Sequence, residues 1–256
     1  MIVYALLGAL VVGLTLGLLG SGGSILTVPV LLYLVGLPEK VAIAESLAIV
    51  GAIAAVGAIP FIYEKLVDWR SVVYFGIPGI LGTVLGAALS AFVTGAVQLV
   101  LFAVVMLLAA VMMFRGPRAV IDEPVVPHAL WKIATEGLVV GVLTGLIGVG
   151  GGFLIVPALV LLGGLPMRRA IATSLLIIAV KSAAGFATYL EVLALEGLSV
   201  DGVRIATFAG IGILGSLLGS RVGARVPQAA LKRGFAVFLV VMGLFILFRE
   251  GLGIFS

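Results

Sequence analysis

The sequence predicts an all-α polytopic integral membrane protein made of two inverted repeats, each of about five segments, the first two of which form a hairpin with a glycine-rich tip. Three observations lead there. Hydrophobic residues make up 63% of the chain and charged residues 10%, with a mean hydropathy of +1.40, whereas a soluble domain carries roughly 25% charge. The chain is written twice, at a constant offset of 128 residues in 256. Its loop lysines and arginines divide unevenly between the two membrane faces in only one of two possible foldings.

The duplication can be followed residue by residue. Gly13 pairs with Gly141, Gly17 with Gly145, and Gly20-Ser21-Gly22-Gly23-Ser24 with Gly148-Val149-Gly150-Gly151-Gly152. Pro29 pairs with Pro157, Gly36-Leu37-Pro38 with Gly164-Leu165-Pro166, and Ser46-Leu47 with Ser174-Leu175. After an insertion near 191–200 the register resumes, with Asp68 matching Asp201 and Gly79-Ile80-Leu81-Gly82 matching Gly212-Ile213-Leu214-Gly215. A two-fold repeat with a Gly-rich break in each copy of an apolar chain is a transporter-like pattern. The division is a first repeat at 1–115, a cytoplasmic linker at 116–135 and a second repeat at 136–256.

Within each repeat, five apolar segments are separated by glycine clusters, Gly-Leu-Pro corners and charged stretches. They are 2–19, 24–36, 41–62, 71–92 and 96–114, then 137–147, 152–164, 170–190, 205–220 and 234–248. A span needs about 20 apolar residues, so the second segment of each half is too short to cross alone. If the first two segments formed one bent helix, loop Lys and Arg would divide seven against seven. If they fold back as a hairpin, one face holds Lys65, Arg70, Arg115, Arg118, Lys132, Arg168, Arg169, Arg221, Arg225, Lys232 and Arg233, and the other holds Lys40, Arg204 and Arg249. The positive-inside rule selects the hairpin, with both termini extracytoplasmic. The opening apolar run belongs to the first repeat and reads as a structural element, not a cleaved signal. Trp69 and Trp131, beside charged loops, read as interfacial anchors.

Hairpins entering from opposite faces bring glycine-rich tips toward the midplane, where inverted-repeat transporters hold substrate. Each tip precedes a short helix whose first N–H groups lack intrahelical partners; with the helix dipole they form an anion site without basic side chains. Gly20, Ser21, Gly22, Gly23 and Ser24, with Gly148, Gly150, Gly151 and Gly152, are therefore candidate ligand residues. Gly13, Gly17, Gly82 and Gly86 are assigned to helix packing, as small residues are in membrane bundles.

Two ionisable residues interrupt apolar spans. Lys181 lies about eleven residues into its segment, roughly 16 Å along a helix. An unpaired charge there costs about 3 kcal/mol even on the lenient insertion scale, so it should face a cavity or a partner. It is the candidate cation for an anionic substrate; its repeat counterpart is Ile53. Glu45, beside Ser46 and matched by Thr173-Ser174, is the candidate proton carrier. A mutual Lys181–Glu45 ion pair is the competing reading of both. Thr83 and Ser216, in equivalent Gly-Ile-Leu-Gly motifs, are expected to bond their own preceding carbonyls.

Other classes are excluded or disfavoured. The basic excess, 15 against 11, follows from topology and gives no reason to invoke nucleic acid. There is no cysteine and a single histidine, His128, in the linker, so no disulfide, thiolate metal site or histidine cluster is expected. No Gly-Lys-[Ser/Thr] phosphate loop, His-Glu-x-x-His or Gly-x-Ser-x-Gly occurs. Uphill transport must then draw on an ion gradient or on the substrate's own gradient, and no cofactor is expected.

The duplicated Gly-x-Gly-Gly-[Gly/Ser] tip, the proline six residues after its second paired glycine, the Gly-Leu-Pro corner and Ala-x-Ala-[Glu/Thr]-Ser together resemble the TauE/SafE family of sulfite exporters, also called the toluene-sulfonate uptake permease family. The resemblance covers essentially the whole chain. It implies a small transporter for sulfur-containing anions such as sulfite or organosulfonates. The tip glycines, Ser46, Thr173 and Ser174 match its motif, whereas Ser24 and Glu45 depart from their second-copy counterparts Gly152 and Thr173. An acidic group near an anion site suggests linkage to protons.

The leading expectation is a secondary transporter for such an anion, working by alternating access between the repeats in the plasma membrane of a prokaryote. A passive anion channel and a membrane-embedded enzyme using Lys181 or Glu45 are the alternatives. The enzyme reading lacks a neighbouring nucleophile and base.

Overall fold

Residues 2–115, 130–147, 152–161 and 163–254 are described by a computed structural model. Helix α1 (Ile2–Leu19) ends at a glycine-serine break, and α2 (Gly22–Pro29) follows. Pro29 has no N–H to donate to the preceding turn, and beyond it the chain widens into a π-helical segment, Val30–Val35. The second segment folds back on the first. A Cβ on Gly23 would overlap the carbonyl oxygen of Val12, while one on Gly8 would lie 2.8 Å from a methyl of Val30 and 3.6 Å from one of Leu34. The hairpin expected from the charge distribution is therefore present in the first half.

The corner after it takes the left-handed turn that glycine allows: Gly36 has φ +81° and its counterpart Gly164 φ +65°. Leu37 N–H donates to Leu31 at 3.2 Å, and Leu165 N–H to Leu159 at 2.9 Å, so the same closure is built twice. Pro38 and Pro166 then serve as N-caps for α3 (Glu39–Tyr63) and α8 (Met167–Leu195). Helices α4 (Trp69–Leu89, extended by a 3-10 turn to Phe92) and α9 (Gly202–Gly223) begin at Asp68 and Asp201. Each aspartate caps its own helix: Asp68 accepts from Ser71 N–H at 3.1 Å and Asp201 from Val203 N–H at 2.9 Å. The N–H groups of Arg204 and Val203 hold the Asp201 carboxyl below its ordinary range. The remaining helices are α5 (Gly95–Arg115), α6 (Leu130–Ile147), α7 (Gly152–Leu161) and α10 (Gln228–Ile254). Helix α6 starts ahead of the expected boundary at 136, within the stretch read as linker.

Among the described residues, six helices are long and apolar enough to cross a membrane: α3, α4, α5, α8, α9 and α10. Of their spans, those of α3 and α8 are 67% and 61% buried, against 33–44% for the other four, which makes α3 and α8 the central pair. The outer helices turn Leu81, Leu108, Leu214 and Val241 outward, as lipid-facing surfaces require.

Packing repeats with the halves exchanged: α4 lies on α6 as α9 lies on α1, and α4 touches α8 as α9 touches α3. Glycines permit the closest of these contacts. A Cβ on Gly13 would overlap the Gly212 carbonyl, and one on Gly141 the Gly79 carbonyl; Gly17 meets Ser216 as Gly145 meets Thr83. Gly82 and Gly86 press against Leu138 and Val142. The packing role expected for these glycines is what the structure gives them. Thr83 donates to the Gly79 carbonyl at 2.8 Å as expected, but the buried Ser216 hydroxyl has no hydrogen-bond partner among the described residues. Trp69 and Trp131 are exposed beside their charged loops.

Helices α3 and α8 run antiparallel. Lys40 at the start of α3 pairs with Glu196 just beyond the end of α8, while Glu64 after α3 pairs with Arg168 at the start of α8 at 3.0 Å. Between them, Gly51 faces Ser182 and Leu47 faces Gly185. The sparse basic set collects at the first end: Arg204 pairs with Glu45, and Arg249 lies 5.0 Å over the ring of Tyr33. Arg168, Arg221 and Arg225, from the abundant set, gather at the other.

Candidate functional site

The first tip is set by two constraints. Gly20 has φ +76°, and a Cβ there would lie 2.8 Å from the Ile171 backbone and 2.9 Å from the Ser174 hydroxyl. Gly23 is held against α1 as above. At Gly22 the nearest obstacle is a flexible methyl of Leu19 at 3.0 Å, so Gly22 is the least crowded of the three. Of the two tip serines, Ser24 Oγ donates to the Ser21 carbonyl at 2.7 Å. The Ser21 hydroxyl, fully buried, has no partner among the described residues. A buried orphan hydroxyl loses its water without compensation, a cost of about 1–3 kcal/mol, and this one lies at the N-cap of α2, at the end of a helix where N–H groups lack partners one turn back.

Helix α8 lines the tip. Ser174 Oγ reaches the Gly20 carbonyl at 3.2 Å and its own Ile171 carbonyl at 2.8 Å. Lys181 is seven residues further, two turns along nearly the same face and about 10 Å away along the axis. It stands fourteen residues from either end of the helix and is 1% exposed. Its ammonium donates to Thr144 Oγ1 on α6 at 3.3 Å. Its stem passes Gly79, where a Cβ would stand 3.3 Å from Lys181 Cδ.

The competing Lys181–Glu45 pair is not formed. Glu45, fully buried, is engaged at the far end of α3: Arg204 Nε and Nη2 each donate to it at 2.6 Å, and Asp201 N–H at 2.9 Å. The two residues lie on separate helices with different partners, because antiparallel α3 carries Glu45 to the end of α8 remote from its start. Thr173, the counterpart of Glu45, turns from the tip and accepts Asp68 N–H at 2.9 Å. Ser46 Oγ donates to the Ile43 carbonyl at 2.7 Å. The structure thus brings Gly20, Ser21, Gly22, Gly23, Ser24 and Ser174 together and sets Lys181 two turns away. Glu45, Ser46 and Thr173 stand elsewhere on α3 and α8. Gly148, Gly150 and Gly151 lie outside the described residues, and Gly152 opens α7, which packs on α2.

Sequence reasoning missed a polar group behind Lys181. Gln98 on α5 donates to the Leu146 carbonyl at 2.6 Å and to Tyr189 Oη at 3.1 Å; Tyr189 donates in turn to the carbonyls of Gly145 and Leu146 at 3.3 Å. Gln98 Oε1 is buried without a donor. Together they occupy carbonyls in the last turn of α6, those of the two residues that follow Thr144. A signal existed, because the chain has only two side-chain amides and Gln98 is the one inside an apolar segment.

This architecture has recognisable relatives. The family model for sulfite exporter TauE/SafE matches residues 5–246. The chain belongs to that family. A "Probable membrane transporter protein" of Xylella fastidiosa (strain Temecula1) is 34% identical over 246 residues, covering 93% of this chain and 92% of that one. "Probable membrane transporter protein MJ0441" of Methanocaldococcus jannaschii is 27% identical over 262 residues, covering 93% and 94%. YunE of Bacillus subtilis, a "Probable membrane transporter protein", is 26% identical over 279 residues, covering 100% and 99%. No solved structure matches the chain. Membership in TauE/SafE, with these relatives and the six apolar helices, makes the protein an integral membrane transporter.

Proposed function

We propose that this TauE/SafE member is a secondary transporter for a small sulfur-containing anion such as sulfite or an organosulfonate. It works by alternating access between two inverted repeats. The observation that carries the reading is the first tip: a buried, unpartnered Ser21 hydroxyl at the N-cap of α2, beside Ser174 and two turns from the buried ammonium of Lys181. Hydroxyl, helix N-terminus and ammonium are all donors, the complement of an oxyanion. Lys181 supplies the one full positive charge, and Gln98 and Tyr189 hold the end of α6 against which it rests.

Inversion is supported by the antiparallel course of α3 and α8 and by packing that survives exchange of the halves. The ion pairs at the two ends of that pair are natural latches for opposite gates. Glu45, fastened to Arg204 from the other half, is the proton-linkage candidate: protonation would release the latch, so a proton could be exchanged for a gate opening. The positive-inside rule makes the Arg168 end cytoplasmic and puts both termini outside, in the plasma membrane of a prokaryote.

Binding of sulfite, sulfate, thiosulfate, sulfoacetate and aromatic sulfonates to purified protein, followed by counterflow of the tightest binder in proteoliposomes, tests the proposal. Saturable counterflow is expected. Flux without counterflow would make the protein a channel, and binding of none of these anions would remove the sulfur-anion reading.

A further inference from the structure

Independently of the transport reading, we infer that the basic end of the protein carries a second, superficial site for a tetrahedral oxyanion, built by Arg168, Arg221 and Arg225. These arginines line a pocket of about 330 Å³ between the end of α3, the start of α8 and the end of α9. Phe61 and Leu217 form apolar wall, and Glu64 is the lining carboxylate. Three guanidinium groups against one carboxylate leave an excess of two positive charges in one concavity. A positive-inside bias explains why arginines lie on this face but not why three converge on one hollow from α8, α9 and the turn after α9.

The second observation is an unmet donor. Arg168 spends its Nη2 on Glu64 at 3.0 Å, but its Nε is buried and has no hydrogen-bond partner among the described residues. A guanidinium offers donors in a fixed fork that matches phosphate and sulfonate oxygens. An oxyanion in the pocket would draw on Arg221 and Arg225, both exposed, and would reach Nε once the Arg168 fork turns toward it. The volume exceeds that of a bare oxyanion and accommodates one carrying an organic substituent. The shared chemistry has two sources: the phosphate of an anionic lipid at the membrane surface, or a free oxyanion collected ahead of the central pathway. Arg168 is one turn from Ile171, against which the first tip packs, so the site would stand next to that pathway.

The test uses full-length protein with Arg221→Gln/Arg225→Gln, two exposed positions whose change leaves the fold intact. Lys232→Gln/Arg233→Gln removes equal charge from the same end outside the pocket. Binding of inorganic sulfate and phosphate is measured by calorimetry in neutral detergent. Thermal stability is compared in nanodiscs of phosphatidylcholine with and without phosphatidylglycerol. If free oxyanions occupy the site, affinity falls about tenfold or more in the pocket variant and is unchanged in the control. If lipid phosphate occupies it, the stabilisation by phosphatidylglycerol is lost in the pocket variant alone. Glu64→Gln, which removes the opposing charge, should strengthen either response several-fold. Equal losses in pocket variant and control would reduce the effect to overall charge, and no loss in either assay would mean there is no site; both overturn the inference.

Discussion

Glu45 accepts the backbone N–H of Asp201 at 2.9 Å, and 128 residues later Thr173 accepts that of Asp68 at the same distance. Each bond joins a helix of one half to the N-cap of a helix in the other, so the halves are fastened twice by the same device. One copy has been made ionic: where Thr173 offers a hydroxyl, Glu45 offers a carboxylate that also takes two donors from Arg204. The ionic copy stands at the end with few basic residues, where Lys40–Glu196 adds a second pair.

The first prediction concerns this ionic latch. Glu45→Gln keeps an acceptor for Asp201 but removes the nearer charged partner of Arg204, which is 24% exposed and keeps Asp201 at 3.7 Å. The cost is about 1–3 kcal/mol, below that for a fully buried pair because Arg204 can turn to solvent. Glu45→Gln/Arg204→Gln should recover part of it, giving a coupling energy in a thermal-unfolding cycle. In proteoliposomes the same substitution should abolish acceleration of transport by a pH gradient. A mutant that still responds to the gradient rules Glu45 out as the proton carrier.

A second prediction separates packing glycines from ligand glycines at the first tip. Gly23→Ala places a methyl on the Val12 carbonyl, a backbone atom that cannot give way, and should lower thermal stability by about 1–3 kcal/mol through overpacking. Gly22→Ala meets a flexible Leu19 methyl at 3.0 Å and the Thr15 carbonyl oxygen at 3.3 Å, both far less severe than the Gly23 overlap, and should cost less stability than Gly23→Ala. If Gly22 borders the ligand, its alanine variant loses anion affinity while remaining folded, and Gly22→Val loses more. Full affinity in Gly22→Val would return this glycine to a packing role.

Most of the fold was legible because it depends on features with local signatures. The repeat offset placed the Gly-Leu-Pro corners, and the basic distribution chose the hairpin that the contacts of Gly23 with Val12 and of Gly8 with Val30 now confirm. The site was less legible. Gln98 and Tyr189 matter through contacts across 91 residues, and neither has a counterpart in the repeat that would have drawn attention to it: Tyr189 is matched by Phe61. The partner of Glu45 was hidden for the same reason. Charge made Lys181 the natural candidate, but the direction of α3 relative to α8, which no single helix encodes, assigns Glu45 to Arg204 instead. Thr83 and Ser216 had identical sequence contexts and differ in outcome, since Thr83 bonds its own helix while the Ser216 hydroxyl faces Gly57, where a Cβ would come within 2.6 Å.

Orientation gives a third prediction. With no native cysteine in the chain, single cysteines can be placed freely. An impermeant maleimide applied to intact cells should label Leu198→Cys, beside Glu196 at the sparse end, and spare Arg225→Cys until the membrane is opened. Labelling in the reverse order would invert the assignment of the basic end to the cytoplasm and make Glu45–Arg204 the inner latch.

The last prediction is about Lys181. The residue is 1% exposed, and the hydrogen-bond partner of its ammonium among the described residues is a neutral hydroxyl, Thr144, at 3.3 Å. A charge so placed is a burden to the empty protein unless something anionic completes it. Lys181→Met keeps length and apolar bulk, and it should therefore hold or raise thermal stability while weakening anion affinity about tenfold or more, since a hydrogen bond to a charged group contributes roughly 1.5–3 kcal/mol. Lys181→Arg should retain part of the affinity. Thr144→Val, which withdraws that hydroxyl, should shift affinity less than Lys181→Met, because the substrate rather than Thr144 is the intended partner. The decisive measurement sets binding isotherms beside melting curves. Loss of stability in Lys181→Met with affinity intact would mean that the ammonium braces α8 against α6 and has no part in recognising the anion.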